Sequence, residues 1–266
     1  MNAPALTARD LQCIANTPQW RGGNVAVVQT PDAGRVVVKS ARAPRHPARY
    51  HLLNALARLL GVPYLETAPL LGGAAGMALE VQRLRALRAA GVCVPQVLHV
   101  ADDYFVMQWL GPGDLASALR QGHARATMLW QAGGDALVRI HAAGQYLSQA
   151  FARNMIVSET GTLAGMIDFE DDPLQVMPLA DAQERNWLDY LHSTLWLAPL
   201  PVAQVDACLD GWMREESADV RARFTHACRR LAWLRVLPAS RRWGRDTVSL
   251  QAAAAAARRY LQRPHD

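Results

Sequence analysis

Long apolar runs are missing from this sequence of 266 residues. The most apolar segment, residues 191–202, is interrupted by proline and is shorter than the roughly 18 residues that a membrane-spanning helix needs. Residues 1–12 lack the basic start and apolar stretch of a secretory signal. The cysteines show no paired spacing that would indicate a disulfide or metal framework: Cys13, Cys93, Cys208 and Cys228. These absences predict a cytoplasmic protein with reduced thiols.

Acidic residues are fewer than basic ones, and the formal net charge is +5. Arginine greatly outnumbers lysine and clusters at residues 42–49, 221–230 and 241–245. Such clusters favour phosphorylated or anionic partners, including peripheral contact with the inner membrane surface. An arginine-rich composition that reflects a GC-rich genome explains them equally well. The basic runs match no RNA-binding signature, so nucleic acid is not expected as a partner.

The pattern of apolar residues changes character about 110 residues into the chain. Before that point, strands are predicted at 24–30, 35–40, 96–100 and 104–109, with helices at 45–60 and 77–90. Beyond the Gly-Pro segment 110–113, helices are predicted at 114–121, 125–143, 180–197, 202–214, 217–236 and 246–262. The sequence therefore predicts an α+β chain with a small β-rich N-terminal lobe (1–109), a hinge (110–113) and a larger, mainly helical C-terminal lobe (114–266).

Lys39 follows three valines in a predicted strand, where an inward-facing lysine needs an acid or a phosphate. The helix at 77–90, which should pack on this sheet, carries one acid, Glu80. We therefore predict a Lys39–Glu80 pair in which the lysine meets phosphate oxygens. The alternative is a solvent-exposed lysine on an edge strand, with Glu80 favoured in a first helical turn by the helix dipole.

Two short apolar runs, 155–157 and 163–169, flank the polar turn Ser158–Gly161 and predict a β-hairpin. Asn154 precedes the first strand and Asp168 ends the second, so the hairpin should bring both side chains to one edge. One carboxylate and one neutral oxygen suit Mg²⁺, which takes further ligands from phosphates. The alternative is that both residues serve only as turn or cap residues.

Five segments resemble motifs of the protein-kinase-like fold and follow the same order along the chain: VVVK, MALEVQRLRAL, YFVMQWLGPGDL, QAFARN and IDFE. They resemble most closely the bacterial lipopolysaccharide-core (Kdo/heptose) kinases and related small atypical kinases, over nearly the whole chain. The resemblance implies an ATP- and Mg²⁺-dependent kinase with a bilobal fold and a hydroxyl-bearing acceptor, on a small molecule or an envelope glycolipid.

The resemblance also assigns roles to individual residues. Lys39 would contact the α- and β-phosphates of ATP and Glu80 would position it, while Asn154 and Asp168 would hold Mg²⁺. Backbone groups near Gln108 and Leu110 would bind adenine. Arg153 would offset charge at the γ-phosphate.

Gln149 departs from the family pattern, because working kinases of this fold carry an Asp five positions before the metal-binding Asn. A glutamine amide orients a hydroxyl by hydrogen bonding but takes no proton at neutral pH. Asp171 or Asp172 is a candidate replacement, as base or as second metal ligand, or else belongs to a solvated turn. The alternatives to an active kinase are a nucleotide-binding pseudokinase or scaffold, and a non-kinase transferase or helical adaptor.

Overall fold

The computed structural model describes residues 5–41, 71–122, 124–198 and 200–264. The helix predicted at 45–60 and the arginine cluster at 42–49 lie outside the described residues. Four N-terminal strands form an antiparallel sheet in the order β1-β2-β4-β3. They are β1 (Val25–Thr30), β2 (Gly34–Ser40), β3 (Val97–Val100) and β4 (Tyr104–Gln108), each within one residue of its predicted bounds.

Two N-terminal helices were not predicted: α1 (Ala8–Asn16) and α2 (Gln19–Gly23). Thr7 and Asp10 form a capping box at the start of α1. The Asp10 carboxylate also accepts a hydrogen bond from the backbone N–H of Asp32, at 2.9 Å. One buried carboxylate therefore caps α1 and ties it to the β1–β2 turn.

The alternation of side chains along β2 divides the sheet into two faces. Val36 and Val38 belong to a small core with Ile14 and Trp20 of the N-terminal helices. Val37 packs against the main core on the other face, which α3 (Gly73–Ala89) covers. Since the side-chain period in a strand is two, Lys39 points to the same face as Val37, towards α3.

Helices dominate the C-terminal part, as predicted. They are α4 (Leu115–Arg120), α5 (Ala126–Ala142), α6 (Leu179–Thr194), α7 (Val202–Glu215), α8 (Ala218–Leu231) and α9 (Arg245–Gln262). Short 3₁₀ turns lie at Ala152–Asn154, Pro173–Gln175, Ala232–Val236 and Arg241–Trp243. The core holds a cluster of aromatic rings from α5, α6 and α7, in which Trp187 and Trp212 stack with centroids 5.3 Å apart.

The segment predicted as a hinge is packed on the hairpin that follows. Gly113–Asp114 forms a short strand, β5, that pairs with β6 (Met155–Val157), and β6 pairs with β7 (Leu163–Met166). A side chain at Gly111 would overlap the backbone of Val157. The connection between the two parts therefore runs directly over the predicted site hairpin.

The observed class is α+β, with a small antiparallel sheet at the N-terminal end and helices at the C-terminal end. Across the part of the chain that the structure describes, no helix combines the length and the apolar character needed to cross a bilayer.

Candidate functional site

Lys39 lies at the centre of a group of carboxylates between β2, α3 and the segment after β7. Its Nζ is 2.8 Å from Glu80 Oε1, 3.2 Å from Asp168 Oδ1 and 2.9 Å from Glu170 Oε1. Only 7% of the Lys39 side chain and 3% of the Glu80 side chain are exposed. Burial by itself lowers the pKa of Lys39, but the three carboxylates outweigh it and raise that pKa. The lysine is therefore charged at neutral pH.

Lys39 is also the only lysine in the chain, against 27 arginines. In a sequence so strongly biased towards arginine, one buried lysine indicates a position where a compact ammonium is needed and a planar guanidinium does not serve. The count was available from the sequence and strengthens the choice of Lys39 as a site residue.

The predicted hairpin is present and brings Asn154 and Asp168 to one edge. Met155 pairs with Met166, and the backbone N–H of Ile167 donates to the carbonyl of Asn154 at 2.9 Å. Asp168 is the next residue along the chain. Two residues fourteen positions apart in sequence are thus held beside each other by backbone pairing.

Asp168 has a left-handed backbone conformation, with φ of +73°. Outside glycine this conformation is uncommon, and it concentrates at functional sites. The backbone that follows is held by Glu80, whose Oε1 accepts a hydrogen bond from the N–H of Phe169 at 3.3 Å. Glu80 therefore positions both Lys39 and the segment that carries Asp168.

The loop from Leu147 to Asn154 is fastened to one face of α6. Asn186 bonds both backbone groups of Leu147 at 2.8 Å, and Ser193 Oγ accepts from the N–H of Ala152 at 2.9 Å. Between them, Asp189 accepts a hydrogen bond from the backbone of Ala150. Burial raises the pKa of Asp189 to about 6, against the opposing effects of Arg185 and that hydrogen bond. Helix α6 therefore holds the backbone of this loop in place through three of its side chains.

Gln149 and Arg153 contact each other at the exposed side of this loop. Arg153 donates from Nη2 to Gln149 Oε1 at 3.1 Å, and its guanidinium lies 4.4 Å from the ring centroid of Phe151. The Gln149 carbonyl accepts from Asn154 Nδ2 at 3.2 Å. Gln149 and Arg153 thus form one connected group with the Asn154 side chain.

The acidic pair after Phe169 takes two different positions. Asp172 Oδ1 accepts from the Tyr146 hydroxyl at 2.5 Å and from the Leu174 N–H at 3.1 Å, so it caps the 3₁₀ turn Pro173–Gln175. Asp171 is 2% exposed. Burial raises the pKa of Asp171 to about 7, with Arg185 opposing and Asp168 and Asp189 adding to the rise. Asp172 thus has a local structural role, and Asp171 faces inward.

Gln108 and Leu110, the predicted adenine contacts, lie at the end of β4 and directly after it. The N–H of Gln108 donates to the carbonyl of Gln96 at 2.9 Å, so that donor is already used. The Leu110 side chain lies against Gly165 of β7. Leu110 therefore lines the junction between the N-terminal sheet and the site hairpin.

A divalent cation fits the donor set of this site. Asp168 supplies a carboxylate that is 31% exposed, and Asn154, which backbone pairing holds on the same hairpin edge, supplies an amide. Among the described residues, no group of three or more His, Cys, Asp or Glu side chains forms a metal cage. Mg²⁺ does not need one, because it keeps waters and binds phosphate oxygens.

Two contributors were missed by sequence reasoning. Glu170 directly follows Phe169, where the metal-binding motif of protein kinases that IDFE resembles has glycine, and its carboxylate contacts Lys39. Asn186 lies three and seven residues before Asp189 and Ser193, a helical spacing that places all three on one face. The resemblance predicts contacts to the loop backbone from Asp181 and Asp189 of this helix, with a solvent-facing role as the alternative. Asp189 makes such a contact, to Ala150, whereas Asp181 pairs with Arg223.

No protein-family model matches this chain, and no curated protein is significantly similar to it in sequence.

Proposed function

We propose that this chain is a phosphotransferase with a protein-kinase-like bilobal fold that moves the γ-phosphoryl group of ATP to a hydroxyl group. The observation that carries the proposal is the buried Lys39–Glu80 pair beside Asp168, with Asn154 on the same hairpin edge. A lysine held by a buried acid and facing an oxygen-donor pair is an arrangement suited to phosphates and Mg²⁺.

In this proposal each residue of the site has a defined task. Lys39 binds the α- and β-phosphates as a point charge and Glu80 holds its ammonium in place. Asn154 and Asp168 would hold Mg²⁺, which would offset the negative charge of the phosphates. Gln108 and Leu110 border the adenine. Arg153 offers a cation near the γ-phosphate and keeps Gln149 in position.

Gln149 orients the acceptor hydroxyl but takes no proton from it. The Asp172 carboxylate is engaged in the cap of a 3₁₀ turn and Asp171 is buried, so neither is offered to the acceptor as an obvious base. Phosphoryl transfer has a loose transition state in which positioning carries most of the catalysis. Without a side-chain base, the bond from the acceptor oxygen to phosphorus would form as the bond to ADP breaks, and the hydroxyl proton would pass to an oxygen of the transferred phosphoryl group or to water.

A pseudokinase is the second candidate function, and Gln149 is the observation that favours it. In that case the same site binds nucleotide and the protein acts as a switch or scaffold. The two candidates share the nucleotide site and differ only in transfer.

The charge of the site dictates how nucleotide binding is tested. Lys39 with three surrounding carboxylates carries a formal charge of −2. Free ATP, itself an anion, is repelled by such a site until a cation is bound. We expect MgATP at 100 times its Kd to stabilise the full chain by about 2.7 kcal/mol. We expect ATP with EDTA to leave the melting temperature unchanged.

Asp168→Ala should abolish the MgATP shift, and Asp102→Ala, an exposed turn residue in the N-terminal sheet, should keep it. Lys39→Arg keeps the charge but not the compact ammonium, and it should also lose the shift. The absence of any shift in the wild type would refute both nucleotide-binding candidates.

Transfer itself is measured as acceptor-dependent ADP release. We expect activity in the wild type, a large fall in Gln149→Ala, and retained or increased activity in Gln149→Asp. MgATP stabilisation without ADP release in either the wild type or Gln149→Asp would assign the pseudokinase function instead.

Contact with an anionic membrane surface is a separate proposal about partners. Between Asp219 and Asp246 the sequence holds eight arginines and no acidic residue. Trp233, Val236 and Trp243, in the same stretch, are 62%, 71% and 62% exposed. Exposed tryptophans among arginines suit the interface of an anionic bilayer.

A further inference from the structure

A cavity of about 410 Å³ opens beside the loop that carries Gln149 and Arg153. Its walls come from α4, from the loop residues Phe151–Arg153, from the end of α6 and from the start of α9. Three arginines line it, one from each of three elements: Arg120, Arg153 and Arg245. We call this cavity the arginine pocket.

Two of the three arginines that line the pocket are not engaged in ion pairs with other described residues. Within the part of the chain that the structure describes, neither Arg120 nor Arg245 forms an ion pair with a carboxylate. Arg245 lies 5.8 Å from the ring centroid of Trp196, which also lines the pocket. Arg241 lies 5.4 Å from the same centroid and adds a further cation beside that wall.

Two aspartates also line the pocket, and both have local roles. Asp114 caps α4, since its carboxylate accepts from the N–H of Ser117 at 2.8 Å and from its hydroxyl at 3.1 Å. Asp246 lies in the first turn of α9, where a carboxylate offsets the helix dipole. Three arginines against two aspartates leave an excess of one positive charge.

His192, which also lines the pocket, adds no positive charge to that balance at neutral pH. Burial lowers its pKa, against the opposing effect of Asp246 and with Arg245 adding to the fall. Its Nε2 is hydrogen-bonded with Ser249 Oγ at 2.8 Å. The hydroxyls of Ser117 and Ser193 also line the pocket, but both already donate within the protein, Ser117 to Asp114 and Ser193 to the Tyr190 carbonyl. The arginines are therefore the main groups that the pocket offers to a ligand.

The pocket is physically joined to the proposed reaction centre. Arg153 lines it and at the same time donates to Gln149, the residue proposed to orient the acceptor hydroxyl. Arg153 is followed directly by Asn154, the proposed Mg²⁺ ligand. A molecule anchored in the arginine pocket therefore lies beside the loop that carries Gln149 and Asn154.

We infer that the arginine pocket binds a phosphate or carboxylate group of the acceptor, so that the substrate is an anionic hydroxyl compound. Guanidinium groups bind the oxygens of both anions through paired, charge-assisted hydrogen bonds. The inference rests on the proposed function for the acceptor role. The anion site itself is tested without nucleotide.

The first experiment uses phenylglyoxal, which modifies accessible arginines, on the full chain without nucleotide. Modification of each arginine is followed by peptide mass spectrometry in inorganic phosphate, in acetate and in neither. Phosphate or acetate should slow modification of Arg120, Arg153 and Arg245 by about tenfold at saturation. The exposed Arg85 on α3 and Arg229 on α8 are matched controls and should be unaffected.

Comparing the protection by phosphate with the protection by acetate shows which of the two groups the pocket prefers. The double variant Arg120→Gln/Arg245→Gln should lose the remaining protection at Arg153. Equal protection of pocket and control arginines would indicate an adventitious ion only and would overturn the inference. So would full protection of Arg153 in the double variant.

The acceptor role is tested with MgATP and pairs of hydroxyl compounds that differ only in one phosphate, such as glucose and glucose 6-phosphate. The phosphorylated member should be the better substrate, and Arg120→Gln/Arg245→Gln should remove the preference by raising KM with kcat little changed. A preference for uncharged members overturns the inference. Selective arginine protection without any MgATP stabilisation would leave the anion site standing and refute the proposed function alone.

Discussion

At the scale of single residues, the protonation state of a buried ionisable side chain depends on the partners around it. Lys39 and Glu80 are buried and paired, as expected when an ion pair is taken out of water. Glu184 on α6 is equally buried at 2% exposure, but its Oε1 has no hydrogen-bonding partner among the described residues. Burial raises the pKa of Glu184 to about 8, with Asp181 adding to the rise and Arg223 opposing it.

Glu184 should make the protein less stable as pH rises. Its pKa is about 8 in the folded state and about 4.3 when unfolded. Between these values the unfolded chain ionises while the folded chain keeps the proton. The free energy of unfolding should therefore fall by up to about 1.4 kcal/mol per pH unit through this one group.

Glu184→Gln removes that dependence. The free energy of unfolding measured in urea should therefore rise for the variant relative to wild type, steadily from pH 5.5 to 7.5. Glu215→Gln, at an exposed position on α7, should show the same pH dependence of the free energy of unfolding as wild type. A constant difference between Glu184→Gln and wild type over this range would show that Glu184 is ionised in the folded state.

At the scale of secondary-structure elements, close packing between helices explains one of two glycines that helix propensity disfavours. Gly134 lies inside α5, where an added Cβ would overlap the indole ring of Trp212 on α7. Gly211 lies inside α7, and an added Cβ there meets no atom within 4 Å. The same residue type is thus required in one helix and dispensable in the other.

Replacing these glycines by alanine should have opposite effects. Gly211→Ala should stabilise the chain by about 0.5–1 kcal/mol, because alanine has the higher helix propensity. Gly134→Ala should destabilise it by about 1–3 kcal/mol through overpacking against Trp212. Chemical denaturation of both variants measures the difference. Stabilisation by Gly134→Ala would contradict the close α5–α7 packing.

The elements themselves were largely predictable, because their signals are local. Apolar alternation located β1 to β4, and helical spacing located α3 to α9 with shifts of a few residues. The short helix α1 was missed, since it depends on the Thr7–Asp10 cap and on contact with the β1–β2 turn. Helix α2 was missed because its five residues are too few to show a helical period. The strand β5 was missed because two residues carry no periodic signal.

At the scale of the whole molecule, surface composition suggests a second kind of partner. The arginine-rich stretch from Asp219 to Asp246 packs around α9 and exposes Trp233, Val236 and Trp243. A basic surface with exposed indoles is complementary to anionic lipid, through charge attraction and insertion of tryptophan at the interface.

We therefore expect the full chain to sediment with phosphatidylglycerol vesicles and not with phosphatidylcholine vesicles, and to be released by salt. Trp233→Ser/Trp243→Ser should weaken binding several-fold. Met128→Ser, a comparably exposed apolar residue on α5, serves as the control. Binding to neutral vesicles that equals binding to anionic ones would contradict the electrostatic part of the proposal. A preference for RNA over vesicles would assign the surface to nucleic acid.

The sequence by itself determined the order of the elements, the α+β class and the hairpin that joins Asn154 to Asp168. These depend on local periodicity and turn chemistry, and the Lys39–Glu80 pair followed because each was the one suitable charge on its element. Only the tertiary structure decided that Glu170 joins Lys39, that Asp172 caps a turn and that Asn186 and Ser193 of α6 hold the loop before Asn154. Such contacts join residues distant in sequence, and their partners become visible only when the chain has packed.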